Sequence, residues 1–333
     1  VVDVAVALVS YNTAEMTAQC VRTFHERVRG VSFELWLVDN GSTDDTVQRI
    51  RAEFPDVRIV RMGWNAGHTV ATNLAAARSE SRYVLWLNSD VFVSEGSVER
   101  LVEFMDAHPD MAACGCKQVD EAGEPMWVCG TVPRPIRRIL VNLGVRSAEL
   151  RGTRLDPDQY REPDYVVGAF VLVRRRALED VGLMDEEYFL QSNEMDWQYR
   201  AWQEGWRVCY LPDARVVHLR GASSKSIRPA AAGELERGRY VFIRKHHGVL
   251  PAVLVGVSGL VGYALRYVLV GALPVPATGW RRRRREKLAR YAAILRAYAH
   301  ELRRPAGPTR SLLCPDPGPI PEELPQCGGA ASR

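Results

Sequence analysis

The chain has 333 residues, enough for one large domain or a domain with an appendage and for a well-buried core. Its composition, 47% hydrophobic and 25% charged, excludes a disordered or fibrous chain. The net charge of +4 hides an uneven spread: ten basic and two acidic residues lie between Arg281 and Arg304, so a polyanionic partner belongs with the C-terminal part. Seven cysteines, an odd number without paired CxxC spacing, argue against a zinc site and predict reduced thiols in a cytosolic protein. The apolar start VVDVAVALVSYN is short, contains Asp3 and lacks a basic flank, so no signal peptide is expected.

The first hundred residues repeat one pattern of apolar strand, polar turn and amphipathic helix. VAVALVS leads to a helix with Val21, Phe24 and Val28 on one face, and ELWLVD to one with Val47, Ile50 and Phe54. VRIVRM precedes a helix bearing Val70, Leu74 and Ala77, and YVLWLNSD one bearing Val98, Leu101, Val102 and Met105, for which Ser94 is the expected cap. Strands this apolar, joined by crossover helices, predict an α/β fold with a parallel sheet covered on both faces. Ligands of such sheets bind at the carboxyl ends of the strands. The unusual polar residues gather at those ends: Ser10, Tyr11 and Asn12; Asp39, Asn40, Gly41 and Ser42; Asn65 and Gly67; and Asn88, Ser89 and Asp90. Any one of these turns is explicable as helix capping, and STDD at 42–45 matches a capping box. Four in succession at one sheet edge point to a site. Neither GxGxxG nor GxxxxGK[ST] is present, which argues against a dinucleotide fold and a P-loop.

Further on, CGCKQVDEAGEP resembles a hairpin and VPRPIRRIL a loop entering a short helix. YVVGAFVLVRR predicts a strong strand, DEEYFLQSNEMDWQYRAWQEGW a loop and helix, and RVCYLPDARVVH two short strands broken at Pro212 and Asp213. Residues 252–273 are almost wholly apolar, with Arg266 the lone charge. As a helix this stretch is long enough to span a bilayer. A central Arg costs about 2.5–3.5 kcal/mol there, and four glycines weaken the helix, so an interfacial or protein-packed helix is favoured. RRRRREK follows, and then Leu288, Tyr291, Leu295, Tyr298 and Leu302 form one stripe. A basic run beside an apolar helix suits anionic lipid, with a solvated basic face as the alternative; nucleic acid is not expected, because no binding module accompanies the charge. The tail from Pro305 carries seven prolines and is expected to be disordered.

VALVSYN, WLVDNGSTDDT, NAGHTVATN, LWLNSDV, GAFVLVRR, GLMDEEYFLQSNEMDWQYR and RVVH occur in the order and spacing of the family 2 glycosyltransferases with the GT-A fold. Over residues 3–245 the chain resembles their rhamnosyltransferase-like branch. The resemblance implies a Rossmann-like sheet flanked by helices that binds a nucleotide-diphosphate sugar. It places Asp39 on the nucleotide base, where a carboxylate accepts from a pyrimidine N–H in a dry pocket. Tyr11 and Asn12 then border base and ribose, and Ser10, Gly41, Ser42, Asn65, Gly67, Asn88 and Gly168 line the donor site. Asp90 takes the place of the last acid of the family's DxD-like motif as a ligand for Mg2+ or Mn2+, with Asn88 and Ser89 in place of the other polar members. His218 matches a histidine near the metal and diphosphate. In SNEMDW, Glu194 matches the general base, Asn193 replaces a first acid, and Asp196 is the second candidate. The structural alternative is that these acids begin a helix. Asp185 and Glu186 match a pair that organises the preceding loop, and His68 departs from the apolar or aromatic residue common in relatives.

The expectation is therefore a GT-A domain at 1–225, a helical, membrane-associating segment at 226–304 and a Pro-rich tail at 305–333. The activity is metal-dependent, inverting transfer of a sugar, such as L-rhamnose, from a dTDP-, UDP- or GDP-sugar to a saccharide or polyprenyl-linked acceptor in cell-surface polysaccharide synthesis. Residues 249–304 would meet an anionic membrane surface at the cytoplasmic, inner face of the cell membrane. A non-catalytic carbohydrate-binding scaffold and a sugar-1-phosphate nucleotidyltransferase are the alternatives; the latter lacks its Gly-rich, basic start here.

Overall fold

The computed structural model describes residues 1–145, 156–219, 221, 227–272, 278–306, 311 and 313. Strand and helix alternate as the apolar pattern requires: β1 (Val2–Ser10), α1 (Ala14–Arg27), β2 (Phe33–Asp39), α2 (Thr46–Glu53), β3 (Arg58–Arg61), α3 (His68–Arg78) and β4 (Ser81–Asn88). A short β5 (Val91–Val93) precedes α4 (Ser97–Ala107) and β6 (Met111–Val119). After β7 (Cys129–Gly130), α5 (Pro135–Asn142) and β8 (Tyr165–Val166) come β9 (Phe170–Arg174), α6 (Arg175–Val181), α7 (Asn193–Gln203) and β10 (Arg207–His218). Three long helices follow, α8 (Arg228–His247), α9 (Val249–Ala272) and α10 (Thr278–Leu302).

Eight strands form one sheet in the order β3-β2-β1-β4-β9-β6-β10-β5. β1, β2, β3 and β4 are mutually parallel, and so are β6 and β10, but β9 runs against both β4 and β6, and β5 against β10. The sheet is thus mixed where a parallel one is expected. The reason is that a continuous apolar run reports burial on both faces and is silent about direction. Side chains alternate between two cores as a period of two demands: Val4, Val6 and Leu8 pack with Phe24 of α1, Ile50 of α2 and Leu101 of α4, while Ala7, Val84 and Trp86 pack with Ala75 of α3, Leu178 of α6 and Trp197 of α7.

Three other local expectations are corrected. RVCYLPDARVVH is one strand, β10, because the break at Pro212–Asp213 is absorbed as a register shift between Leu211 and Arg215. Ser94 does not cap α4 through its side chain: Gly96 in the left-handed region occupies the cap, and Ser97 donates to the Ser94 carbonyl at 2.7 Å. Ser42 forms no capping box either, since its hydroxyl accepts from Asn12 N–H at 2.9 Å, while Asp44 accepts from Thr46 N–H at 3.1 Å at the start of α2. The hairpin after β6 and the short helix α5 form where the turn residues place them. Cys20, Cys114, Cys116, Cys129 and Cys209 are buried free thiols.

The C-terminal helices share a third core with α7. Met195 packs with Tyr240 and Phe242 of α8, Val255 of α9, and Ile294 and Tyr298 of α10. Buried ions cross the same layer: Arg237 Nε meets Glu301 Oε1 at 2.9 Å, and Glu236 accepts from Arg138 of α5 and from Tyr298 at 2.8 Å. The expected boundary at 225–226 and nearly all of the tail expected to be disordered lie outside the described residues.

Candidate active site

Three loops meet at the carboxyl ends of β1, β2 and β3, and they are tied to one another by their own polar side chains. Asn12, at φ 52°, accepts through Oδ1 from Thr43 N–H at 2.7 Å, and its own N–H donates to Ser42, so the β1 turn is fastened to the β2 turn. Asn40 donates to Asn65 Oδ1 at 3.0 Å and accepts from Ala66 N–H at 2.9 Å, which fastens the β2 turn to the loop before α3. Gly41 and Gly67 sit at φ 82° and 88°, where a Cβ would come within 2.8 Å of the Trp64 backbone and 2.5 Å of the Phe189 carbonyl oxygen. Between these loops Asp39 is buried, and its Oδ1 accepts from Ser42 N–H at 3.3 Å. Burial pushes its carboxyl above the ordinary value, offset in part by Ser42 and by the Arg61 charge. Tyr11 stands exposed at the tip of β1. Ser10 does not offer a free hydroxyl: it is buried beneath the turn, at 2.9 Å from Thr13 and 2.8 Å from Thr17.

β4 ends in the stretch Asn88, Ser89, Asp90. Ser89 faces Thr13, its hydroxyl 3.2 Å away. Asp90 is buried, and its carboxylate lies 3.4 Å from His218 Nε2 at the end of β10. The two meet because β5 pairs antiparallel with β10, setting Val91 opposite His218, and Leu219 N–H donates to the Asp90 carbonyl at 2.9 Å. His218 Nδ1 lies 2.7 Å from Gln118 Oε1. An amide oxygen only accepts, so Nδ1 carries a proton, and in the neutral ring Nε2 is the lone-pair nitrogen, the one that faces Asp90. A carboxylate oxygen and an imidazole lone pair facing each other are two donors for a cation, one hard and one borderline, and suit Mn2+ or Mg2+ that completes its shell with phosphate and water. Among the described residues no cluster of three or more His, Cys, Asp or Glu side chains is placed to hold a metal.

The other half of the site is built on α7. Ser192 precedes it at φ 72°, an uncommon conformation for a residue with a side chain, and it is held there by α8, whose Gly238 leaves room for the Ser192 hydroxyl. A Cβ at Gly238 would come within 2.7 Å of that oxygen. The turn aims Glu194 at Gly168, where a Cβ would stand 3.0 Å from Glu194 Cβ. The next residue, Ala169, receives the Asn88 N–H at 3.0 Å, and Trp86 of β4 meets Trp197 of α7 edge to face at 5.2 Å. Burial pushes the Glu194 carboxyl above its ordinary 4.5, an effect reduced by backbone N–H groups around residues 168 and 192–195.

Asp196, two residues on, has the opposite environment. It is fully buried and accepts from Tyr188 at 3.1 Å, Arg200 at 3.0 Å, Lys245 at 3.0 Å and His246 at 2.9 Å. Although burial alone would raise its pKa, His246, Lys245 and Arg200 together hold the carboxyl well below the usual aspartate range. Asp185 pairs with Lys245, and Glu186 accepts from Asn73 at 3.2 Å, so both acids brace the loop before α7.

One residue that the sequence marks only as a departure joins the two halves. His68, the first residue of α3, has Nε2 3.1 Å from Asn88 Oδ1, and its Nδ1 accepts from Asn193 Nδ2 at 3.2 Å. Its backbone N–H donates to Phe189 at 2.7 Å, and burial lowers its pKa. The neutral ring, with its proton on Nε2, satisfies both contacts at once. The available signal was the pair of departures, a histidine at 68 and an amide at 193, whose side chains meet only in the fold.

Residues 5–182 match the family model described as "Glycosyl transferase family 2". An N-acetylglucosaminyl-diphospho-decaprenol L-rhamnosyltransferase of Mycobacterium tuberculosis is 28% identical over 275 residues, 76% of this chain and 86% of that protein. The dTDP-rhamnosyl transferase RfbF of Shigella flexneri is 23% identical over 225 residues, 63% of this chain and 71% of the relative. Among solved structures, the mannosyltransferase PcManGT from Pyrobaculum calidifontis, in complex with GDP-Man and Mn2+, superposes with a TM-score of 0.54 at 17% identity, covering 90% of this chain and 88% of its own. The expected GT-A fold, with a mixed sheet in place of the parallel one, is the fold found.

Proposed function

The chain belongs to glycosyltransferase family 2 and to its rhamnosyltransferase-like branch, and from that premise we propose that it transfers L-rhamnose from dTDP-L-rhamnose, with inversion, to a hydroxyl of a polyprenyl-linked saccharide at the inner face of the cell membrane. Glycosyl transfer in polysaccharide synthesis is its activity; family membership gives no support to a nucleotidyltransferase or a non-catalytic scaffold. The donor and the lipid-linked acceptor are inferred from what the two rhamnosyltransferase relatives are named for.

In this reading Asp39 accepts from the ring N–H of the base, Tyr11 and Asn12 border base and ribose, and the backbone at Gly41, Asn65 and Gly67 lines the donor. Asp90 and His218 would hold the divalent cation, with Gln118 fixing the His218 tautomer. When bound, that cation supplies charge to stabilise the leaving diphosphate. Glu194 takes the proton of the acceptor hydroxyl as its oxygen bonds to the anomeric carbon and the bond to the diphosphate breaks. One base on the side opposite the leaving group supports a single displacement. Asp196 is a positioning residue, since its four partners hold its proton affinity well below that of an ordinary aspartate.

The observation that carries this assignment is the contact of Glu194 with Gly168, one residue before the Ala169 carbonyl that holds Asn88. It sets a carboxylate with a raised pKa beside the strand end that bears Asp90. Transfer or donor hydrolysis with dTDP-, UDP- and GDP-sugars and Mn2+, for wild type and Glu194→Gln, tests the proposal. Preference for dTDP-rhamnose, loss of turnover in the variant and an inverted anomer in the product are expected. A retained anomer, or a variant as active as wild type, would overturn the mechanism.

A further inference from the structure

α9 is long and apolar enough to cross a membrane, yet its surroundings are those of a helix lying flat. One face is made of small residues and is covered. Gly256 faces Leu302 and Tyr240, Gly259 faces the Tyr298 ring, and Gly262 faces the Asn142 carbonyl of α5. The opposite face carries Leu250, Leu254, Val257, Val261, Leu265 and Val268, each between 48% and 70% exposed. Spacings of three and four residues place these six on one stripe. Beside it, α5 leaves Ile136, 76% exposed, together with Leu140 and Leu143. Asn142 at the end of α5 donates to the Val255 carbonyl of α9, so the exposed apolar side chains are carried by two adjoining helices.

α10 runs antiparallel along α9 from Gly256 to Gly271. Leu302 lies against Gly256, Tyr298 against Gly259, Tyr291 is 5.8 Å from Tyr263, and Arg284 reaches the Gly271 carbonyl. Within that length α10 exposes Glu286, Lys287, Arg290 and Arg296. A membrane-spanning α9 would draw these charges into hydrocarbon with it, which excludes a span in this arrangement. Arg266, the only charge in α9, also avoids the apolar face: its guanidinium donates to the Val141 carbonyl near the end of α5 at 3.1 Å and lies over the Tyr263 ring.

We propose that the apolar stripe of α9, widened by α5, lies in the interfacial layer of an anionic membrane, and that the exposed arginines opening α10 bind the lipid headgroups. Charge complementarity selects lipid over another protein surface: Arg281, Arg282, Arg283 and Arg285 are exposed where α10 begins, next to the C-terminal end of the stripe. The inference rests on the helical layer and not on the identity of the donor or acceptor.

The test is flotation of the full-length protein with vesicles of phosphatidylcholine alone or with 30% phosphatidylglycerol, without substrates, so its failure is distinguishable from failure of the catalytic reading. Binding to the anionic vesicles, at least tenfold tighter than to neutral ones and fully reversed by alkaline carbonate, is expected. Leu254→Glu with Leu265→Glu should reduce binding at least tenfold, Ile136→Glu several-fold, and Arg282→Glu with Arg283→Glu should remove the preference for anionic lipid. All three sets leave circular dichroism unchanged, because the altered side chains are exposed. Carbonate-resistant binding, no flotation of wild type, or variants that float like wild type would overturn the proposal. So would a stable dimer in sedimentation that the Leu254→Glu, Leu265→Glu protein loses, since a second copy would then cover the face.

Discussion

The two halves of the crevice are built by different means. The proposed donor half consists of turns at strand ends that hold one another through Asn12, Asn40 and Ser42, all within a few residues of the sheet. The proposed acceptor half depends on distant chain: Ser192 packs against Gly238 of α8, and Asp196 is held by Lys245 and His246. Two carboxylates on one helical turn consequently differ in kind. Glu194 is half-buried with backbone N–H groups about its carboxyl and holds its proton more tightly, whereas Asp196 is surrounded by cations and gives it up. Sequence spacing leaves both as candidates, Glu194 first and Asp196 second, and environment separates the proposed base from a brace.

The sharpest way to break that contrast is substitution of each acid by its amide. Glu194→Gln is expected to lower kcat by about 10³-fold with donor affinity unchanged, in the range for loss of a general base. Steady-state kinetics with isothermal titration of the donor separates the two quantities. Asp196→Asn should instead cost about 3 kcal/mol of stability, because it leaves buried cations without their counter-charge, and denaturant unfolding measures it. If Asp196→Asn folds as stably as wild type and still loses as much kcat as Glu194→Gln, the roles are reversed.

Smaller effects sharpen the donor half. Gln118→Ala frees the His218 ring and should raise the Mn2+ concentration for half-maximal activity about tenfold without changing kcat at saturation. His68→Phe removes both bonds that link Asn88 to Asn193 and is expected to lower kcat about threefold at nearly constant KM for the donor, from the usual net worth of two hydrogen bonds partly replaced by packing. The least change comes with pH. Glu194 acts ionised, so activity falls as pH drops through its raised pKa, and the acid limb should sit above the ordinary 4.5. Stability moves with Asp196 in a lower window. Its folded pKa is depressed, so its contribution is complete above the ordinary 3.8 and is lost as pH falls below it. A pH–rate profile and an acid-unfolding curve should therefore break at separate pH values.

The loops of the candidate donor half are legible in the sequence because turn chemistry is local. The residues closing β1, β2 and β4 interrupt apolar runs with polar groups that have no helical or strand use, and such interruptions survive in one dimension. The partners of Ser10 are equally local, Thr13 and Thr17 of the same turn, but only the fold shows its hydroxyl engaged by them. His68 was underrated because its partners are twenty and more than a hundred residues away. For the apolar stretch at 252–273 composition favours an interfacial or protein-packed helix, and only the fold shows α10 lying along its described part.

By itself the sequence determined the strands, the crossover helices, the polar strand ends and a chain with an apolar, basic C-terminal part, since periodicity and turn residues act between near neighbours. Only the tertiary structure decided the direction of β9, the meeting of Asp90 with His218, and which acid of α7 is held by cations. It also decided which face of α9 is covered. Each of these depends on groups far apart in the chain whose burial and charge act on one another only once the chain is packed.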